Sequence, residues 1–99
     1  MGFIQIVEYR SSADFDELKK LETRWLEATQ GQRTTVQEWT CVDRDQPGRY
    51  FNIVEFESYE AAMANSQLPG TQEIAAEMAK LCEGEPVFYN LDVIETRAD

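Results

Sequence analysis

The chain reads as an α+β domain in which two helical segments lie on one face of a four-stranded antiparallel sheet. Three observations predict this. Residues 3 to 9, 34 to 42, 49 to 58 and 87 to 94 are rich in β-branched and aromatic side chains and follow the two-residue period of strands. The stretches 13 to 29 and 59 to 82 instead repeat their apolar residues at three- and four-residue steps, as amphipathic helices do. A short "DRDQPGR" loop with its Pro47-Gly48 turn separates the second strand from the third, so these two form a hairpin.

The first strand, "FIQIVEY", sets Phe3, Gln5, Val7 and Tyr9 on one face and Ile4, Ile6 and Glu8 on the other. Ser11 and Ser12 offer caps for the next helix, whose apolar stripe is Phe15, Leu18, Leu21, Trp25 and Ala28. Asp14, Asp16 and Glu17 suit the positive N-terminal end of that helix, and Gly31 stops it. "TTVQEWTCV" is the second strand. The third, "RYFNIVEFES", divides Tyr50, Asn52, Val54 and Phe56 from Phe51, Ile53, Glu55 and Glu57. Ser58 caps the second helix, which breaks at "LPGT" because Pro69 disfavours helical geometry at Leu68; Thr71 is the expected restart. The resumed helix sets Ile74, Met78, Leu81 and Cys82 on one face and ends at Gly84, before the last strand "VFYNLDVI". The order βαββαβ is the split unit of ferredoxin-like folds, and residues 1–99 make a single domain.

Composition excludes several functions. A net charge of −10 repels phosphate backbones and anionic lipid, so neither nucleic acid nor a membrane surface is an expected partner. No run of eighteen apolar residues and no secretory pattern is present, so the expected compartment is cytoplasmic. Cys41 and Cys82 lack the spacing of a redox or zinc motif and read as reduced thiols. The absence of histidine removes the commonest general base and metal ligand, and the acidic residues lack metal-ligand spacing.

Both faces of the central strands carry large side chains, whereas one layer of helices covers only one face. With the helices expected over Ile4, Ile6, Phe51 and Ile53, the other face still bears Phe3, Val7, Tyr9, Tyr50, Val54 and Phe56. Such a patch exceeds what soluble monomers show. Covering it is worth on the order of 10 kcal/mol at about 25 cal/mol per Å² of apolar area, enough to drive a homodimer with sheet facing sheet. Gln5, Asn52 and Asn90 interleave with Val7, Tyr9, Phe56 and Phe88 there, and apolar walls with a few polar groups describe a small-molecule pocket between sheet and partner subunit.

The strand-to-helix passage "YFNIVEFESYEAAMANS" and the interrupted helix at "SQLPGTQE" resemble the dimeric α+β barrel superfamily, in particular its antibiotic biosynthesis monooxygenase-like group. The resemblance covers nearly the whole chain. It implies an oxygenase or cyclase acting on a flat aromatic or enolic molecule without a cofactor. Haem-degrading members typically use a Trp where Phe56 stands, an Asn where Tyr9 stands and an iron-ligating His on the second helix; "PGTQEIAAEM" has no His, so haem is not expected.

In a cofactor-free oxygenase the deprotonated substrate itself passes an electron to oxygen, and the protein holds the anion dry and donates hydrogen bonds to it. Asn52 is the expected donor, with Tyr50 and Trp39 stacking on and orienting the ring; Gln5, Val7, Tyr9, Phe56, Phe88 and Asn90 are the expected substrate contacts. The side Trp39 occupies stays open, since its strand alternates Val36, Glu38, Thr40 and Val42 against Gln37, Trp39 and Cys41 without an apolar face. Glu55 is expected under the helices in a structural role, and Asp92 is a second carboxylate to weigh as a base. Two other classes compete with the enzyme: a non-catalytic dimer that binds such a molecule, and a docking dimer with no pocket.

Overall fold

The structure, a computed structural model, describes residues 2–98. Its elements run β1 (Phe3–Arg10), α1 (Phe15–Ala28), β2 (Thr35–Val42), β3 (Arg49–Phe56), α2 (Tyr59–Ser66), α3 (Pro69–Leu81) and β4 (Val87–Asp92). The strands form one sheet in the order β2-β3-β1-β4, with every neighbouring pair antiparallel.

Local chemistry explains the element ends. Asp14, not Ser11 or Ser12, caps α1, its side chain accepting from the Glu17 backbone N–H at 2.9 Å. Ser11 is instead buried, donating to the Leu81 carbonyl at 2.6 Å and accepting from Ala13 N–H, which ties the end of β1 to the end of α3. Ser58 caps α2 as expected, accepting from Ala61 N–H. The helix does break at Leu68, which is extended, but Pro69 opens α3 at its first position, two residues before the expected Thr71. A first-turn proline lacks an N–H that would have no helical partner there, so it starts a helix more readily than it ends one.

Helices α1 and α3 pack on each other. Trp25 Nε1 donates to Thr71 Oγ1 at 2.9 Å, and Leu18, Leu21 and Ile74 are buried. Gly70 makes the close approach possible, since a Cβ there would stand 2.9 Å from Thr29 Cγ2 and 3.0 Å from Ala28 Cβ.

The sheet presents the opposite face to the helices from the one expected. Phe3 and Phe56, 3% and 2% exposed, pack against Ala62 with Val54, Ala61 and Met63 around them, so α2 lies over the Phe3, Tyr9, Tyr50 and Phe56 side. The Ala-rich inner surface of α2 leaves room for two phenyl rings beneath it, and Tyr59 adds an edge-on contact to Phe3 at 5.5 Å between centroids. Ile4, Ile6, Phe51 and Ile53 therefore form the bare face, joined there by Trp39, Tyr89 and Leu91. Glu55, expected under the helices, also lies on the bare side, opposite Ile4 and Gln37.

Candidate functional site

Antiparallel register lines up cross-strand neighbours into rungs, and four rungs make the face under the helices. From one end they are Val42, Tyr50 and Tyr9; then Thr40, Asn52, Val7 and Phe88; then Glu38, Val54, Gln5 and Asn90; then Thr35, Phe56, Phe3 and Asp92. In the last rung α2 seals Phe3 and Phe56. The middle rungs are not sealed: Val7, Asn52, Val54 and Gln5 keep partial solvent access, and this strip between the sheet and its helical layer is the candidate cleft.

Side chains in this cleft have few polar partners. Tyr9 and Tyr50 stack at 5.4 Å with their planes 17° apart. Tyr9 is only 4% exposed, and its hydroxyl makes no hydrogen bond with the described residues. Burial, with Cys82, Tyr50 and Glu22 nearby, pushes the Tyr9 phenol up to about 12, so it stays a protonated donor. The Asn52 side chain is likewise unbonded among the described residues. Gln5 and Asn90 are different, Gln5 Nε2 donating to Asn90 Oδ1 at 3.1 Å toward the β4 edge.

Among the predicted site residues, Asn52, Tyr50, Gln5, Val7, Tyr9, Phe56, Phe88 and Asn90 do share one face, but that face meets the helices and not a partner's sheet. Phe56 is core and not a contact, since α2 closes over it. Phe88, 59% exposed, stands at the open β4 edge. Trp39 leaves the group. A β-bulge between Thr35 and Gln37 inserts one extra residue, so Trp39 pairs with Ile53 on the bare face instead of with Asn52.

The same bulge brings in a residue that sequence reasoning passed over. Glu38 now sits opposite Val54, one rung from Asn52. Burial raises its carboxyl above the ordinary value and the charge of Glu22 on α1 adds to the rise, while Arg33 opposes it. Glu38 stays exposed on its edge strand, which tempers that rise. Its register parity was the only signal, and that is invisible without the bulge.

The bare face carries a different kind of polar cluster. Arg49 donates from Nε to Glu8 Oε2 at 2.9 Å and from Nη1 to Asp43 Oδ2 at 2.7 Å, and Tyr89 donates to Glu8 Oε1 at 2.9 Å. The Arg49 and Tyr89 bonds hold Glu8 below the usual carboxylate range; the Asp45 backbone N–H and Arg49 do the same for Asp43. Among the described residues no three of Cys, Asp and Glu gather as a metal-holding group.

No family model and no curated protein matches the chain. Solved structures match it from end to end. SnoaB of Streptomyces nogalater, a cofactor-independent oxygenase, is similar with a TM-score of 0.81 at 15% identity over 99% of this chain and 98% of its own. Rv0793 of Mycobacterium tuberculosis gives 0.80 at 13% identity over 99% of this chain and 100% of its own. An antibiotic biosynthesis monooxygenase gives 0.75 at 14% identity over 96% of this chain and 100% of its own. The fold is that of the antibiotic biosynthesis monooxygenase-like α+β proteins.

Proposed function

We propose that the chain is a cofactor-independent monooxygenase-like or cyclase-like enzyme acting on a flat aromatic or enolic small molecule in the cleft between sheet and helices, within a homodimer closed over the bare sheet face. The observation that carries this reading is the unbonded Asn52 amide beside the stacked Tyr9 and Tyr50 rings, with apolar Val7 and Val54 as its floor. Polar groups without protein partners in an otherwise apolar cleft suit a ligand that supplies the missing bonds. The fold shared with SnoaB supports oxygenase chemistry as the reaction class.

The chemistry follows from those groups. A phenol or enol loses a proton, and the electron-rich anion gives one electron to dioxygen. Recombination of the substrate radical with superoxide forms a carbon–oxygen bond. The resulting peroxide loses water and leaves a carbonyl, so that a CH₂ and O₂ become C=O and H₂O. Asn52 donates to the substrate oxygen on which negative charge collects, and the protonated Tyr9 phenol is placed to do the same. The Tyr50 ring lies against the Tyr9 ring and offers its outer face to the substrate.

Oxygen uptake with a panel of anthrone-like phenols tests the reading. Asn52→Ala is expected to lower kcat roughly 10²- to 10³-fold, the cost of one lost oxyanion donor. Turnover unchanged by that substitution rejects the assignment, and binding of the panel without oxygen consumption by the parent protein makes it a binding module.

A further inference from the structure

We infer that Glu38 is a catalytic residue of the cleft, the base that removes the substrate's proton. This rests on the oxygenase reading and adds the step that reading leaves without an acceptor. The bulge at the start of β2 turns Glu38 into the cleft on the rung next to Asn52. Diagonal neighbours on adjacent strands lie roughly 7–8 Å apart, with their β-carbons somewhat closer, so a carboxylate and an amide so placed can reach the same small molecule.

Glu22 of α1 acts electrostatically on both Glu38 of β2 and Tyr9 of β1, so its charge is felt on the strands either side of β3. Lys19 Nζ donates to Glu22 Oε1 at 3.1 Å. Tyr9, buried and without a hydrogen-bond partner among the described residues, lies on the rung beside Asn52 and independently marks this face as a place where a ligand completes the hydrogen bonding. The groups facing Glu38 are therefore Glu22 from α1 and Arg33 from the α1 to β2 connection. The proton moves from the substrate's acidic C–H or O–H to a Glu38 carboxylate oxygen and leaves to water at the open β2 edge, where Glu38 is exposed.

Glu38→Gln keeps the shape and removes the base. In oxygen-uptake assays it is expected to lower kcat roughly 10²- to 10⁴-fold. Binding of a non-oxidisable anthraquinone, read by quenching of tryptophan fluorescence, should change by no more than about threefold, a figure set by the loss of one charge. The parent's rate should rise with pH through the Glu38 titration; Glu38→Gln should lose this acidic limb, Glu38→Asp should retain it, and Glu22→Gln should move it to lower pH. A Glu38→Gln protein with the parent's kcat and the parent's pH profile overturns the inference while leaving the oxygenase reading intact. Absence of turnover in the parent overturns both.

Discussion

The two faces of the sheet handle polar groups in opposite ways. On the bare face Arg49, Glu8, Asp43 and Tyr89 bond to one another, so the polar end of that surface needs nothing from outside. Around it Ile4, Ile6, Phe51, Ile53, Trp39 and Leu91 form an apolar surface. In the cleft, Asn52, Tyr9 and Glu38 make no side-chain hydrogen bond with the described residues. A surface to be covered by protein does best with its charges already paired, because an unpaired charge in an interface costs several kcal/mol. A surface to be covered by a ligand must leave donors and acceptors free. The difference supports the proposed pairing of the bare face with a second copy of the chain and of the cleft with a small molecule.

Two substitutions should separate the faces. Ile53→Asp adds a carboxylate to the bare face of each copy, and each desolvated charge costs about 3–5 kcal/mol. Light scattering should show a monomer whose circular dichroism matches the parent. A variant that stays dimeric would move the interface elsewhere. Phe56→Ala works from the other side of the same strand: removing a fully buried phenyl costs about 3–5 kcal/mol. Denaturant titration should show that loss while the protein remains dimeric at low denaturant; a loss below about 1 kcal/mol would contradict the packing under α2.

Acid should weaken the bare-face cluster selectively. Glu8 and Asp43 lie below their ordinary values of 4.5 and 3.8. Groups with depressed folded-state values contribute stability that is present above the unfolded value and is lost as pH falls through the folded one. The melting temperature of the parent should therefore exceed that of Arg49→Met near pH 7, and the gap should narrow as pH falls below about 4. A gap that is constant with pH would show that Arg49 acts by packing over Phe51, whose ring lies 4.7 Å from the guanidinium carbon, and not by charge.

The order of elements was legible in the sequence because each boundary has a local cause. The Ser58 cap, the extended Leu68 before Pro69 and Gly31 with its φ of +79° all act within a few residues. Which face meets the helices was not legible. Phe3, Val7, Val54 and Phe56 are as apolar as Ile4, Ile6, Phe51 and Ile53, so periodicity alone cannot choose. Packing chooses: the small residues Ala61 and Ala62 of α2 fit over Phe3 and Phe56. The side of Trp39 stayed open, and Glu38 was passed over, for a different reason. One extra residue at the bulge inverts every side chain beyond it, and nothing local in "TTVQEWTCV" announces the insertion.

Asn65 offers the finest test of the division between faces. It lies on the inner side of α2, 7% exposed, one turn beyond Ala62, and its Oδ1 has no partner among the described residues. A sealed polar atom of this kind costs about 1–3 kcal/mol in the folded state, and an apolar group of the same shape removes the cost. Asn65→Leu should therefore leave stability unchanged or raise it by about 1 kcal/mol in denaturant titrations. If the substitution instead destabilises the free protein by more than about 1 kcal/mol, the amide is already satisfied, and the lack of polar partners belongs to the sheet side of the cleft alone. If stability holds but ligand binding weakens, the helical roof shares the open hydrogen-bonding character of Asn52 and Tyr9, and the contrast between the two faces extends through the whole thickness of the fold.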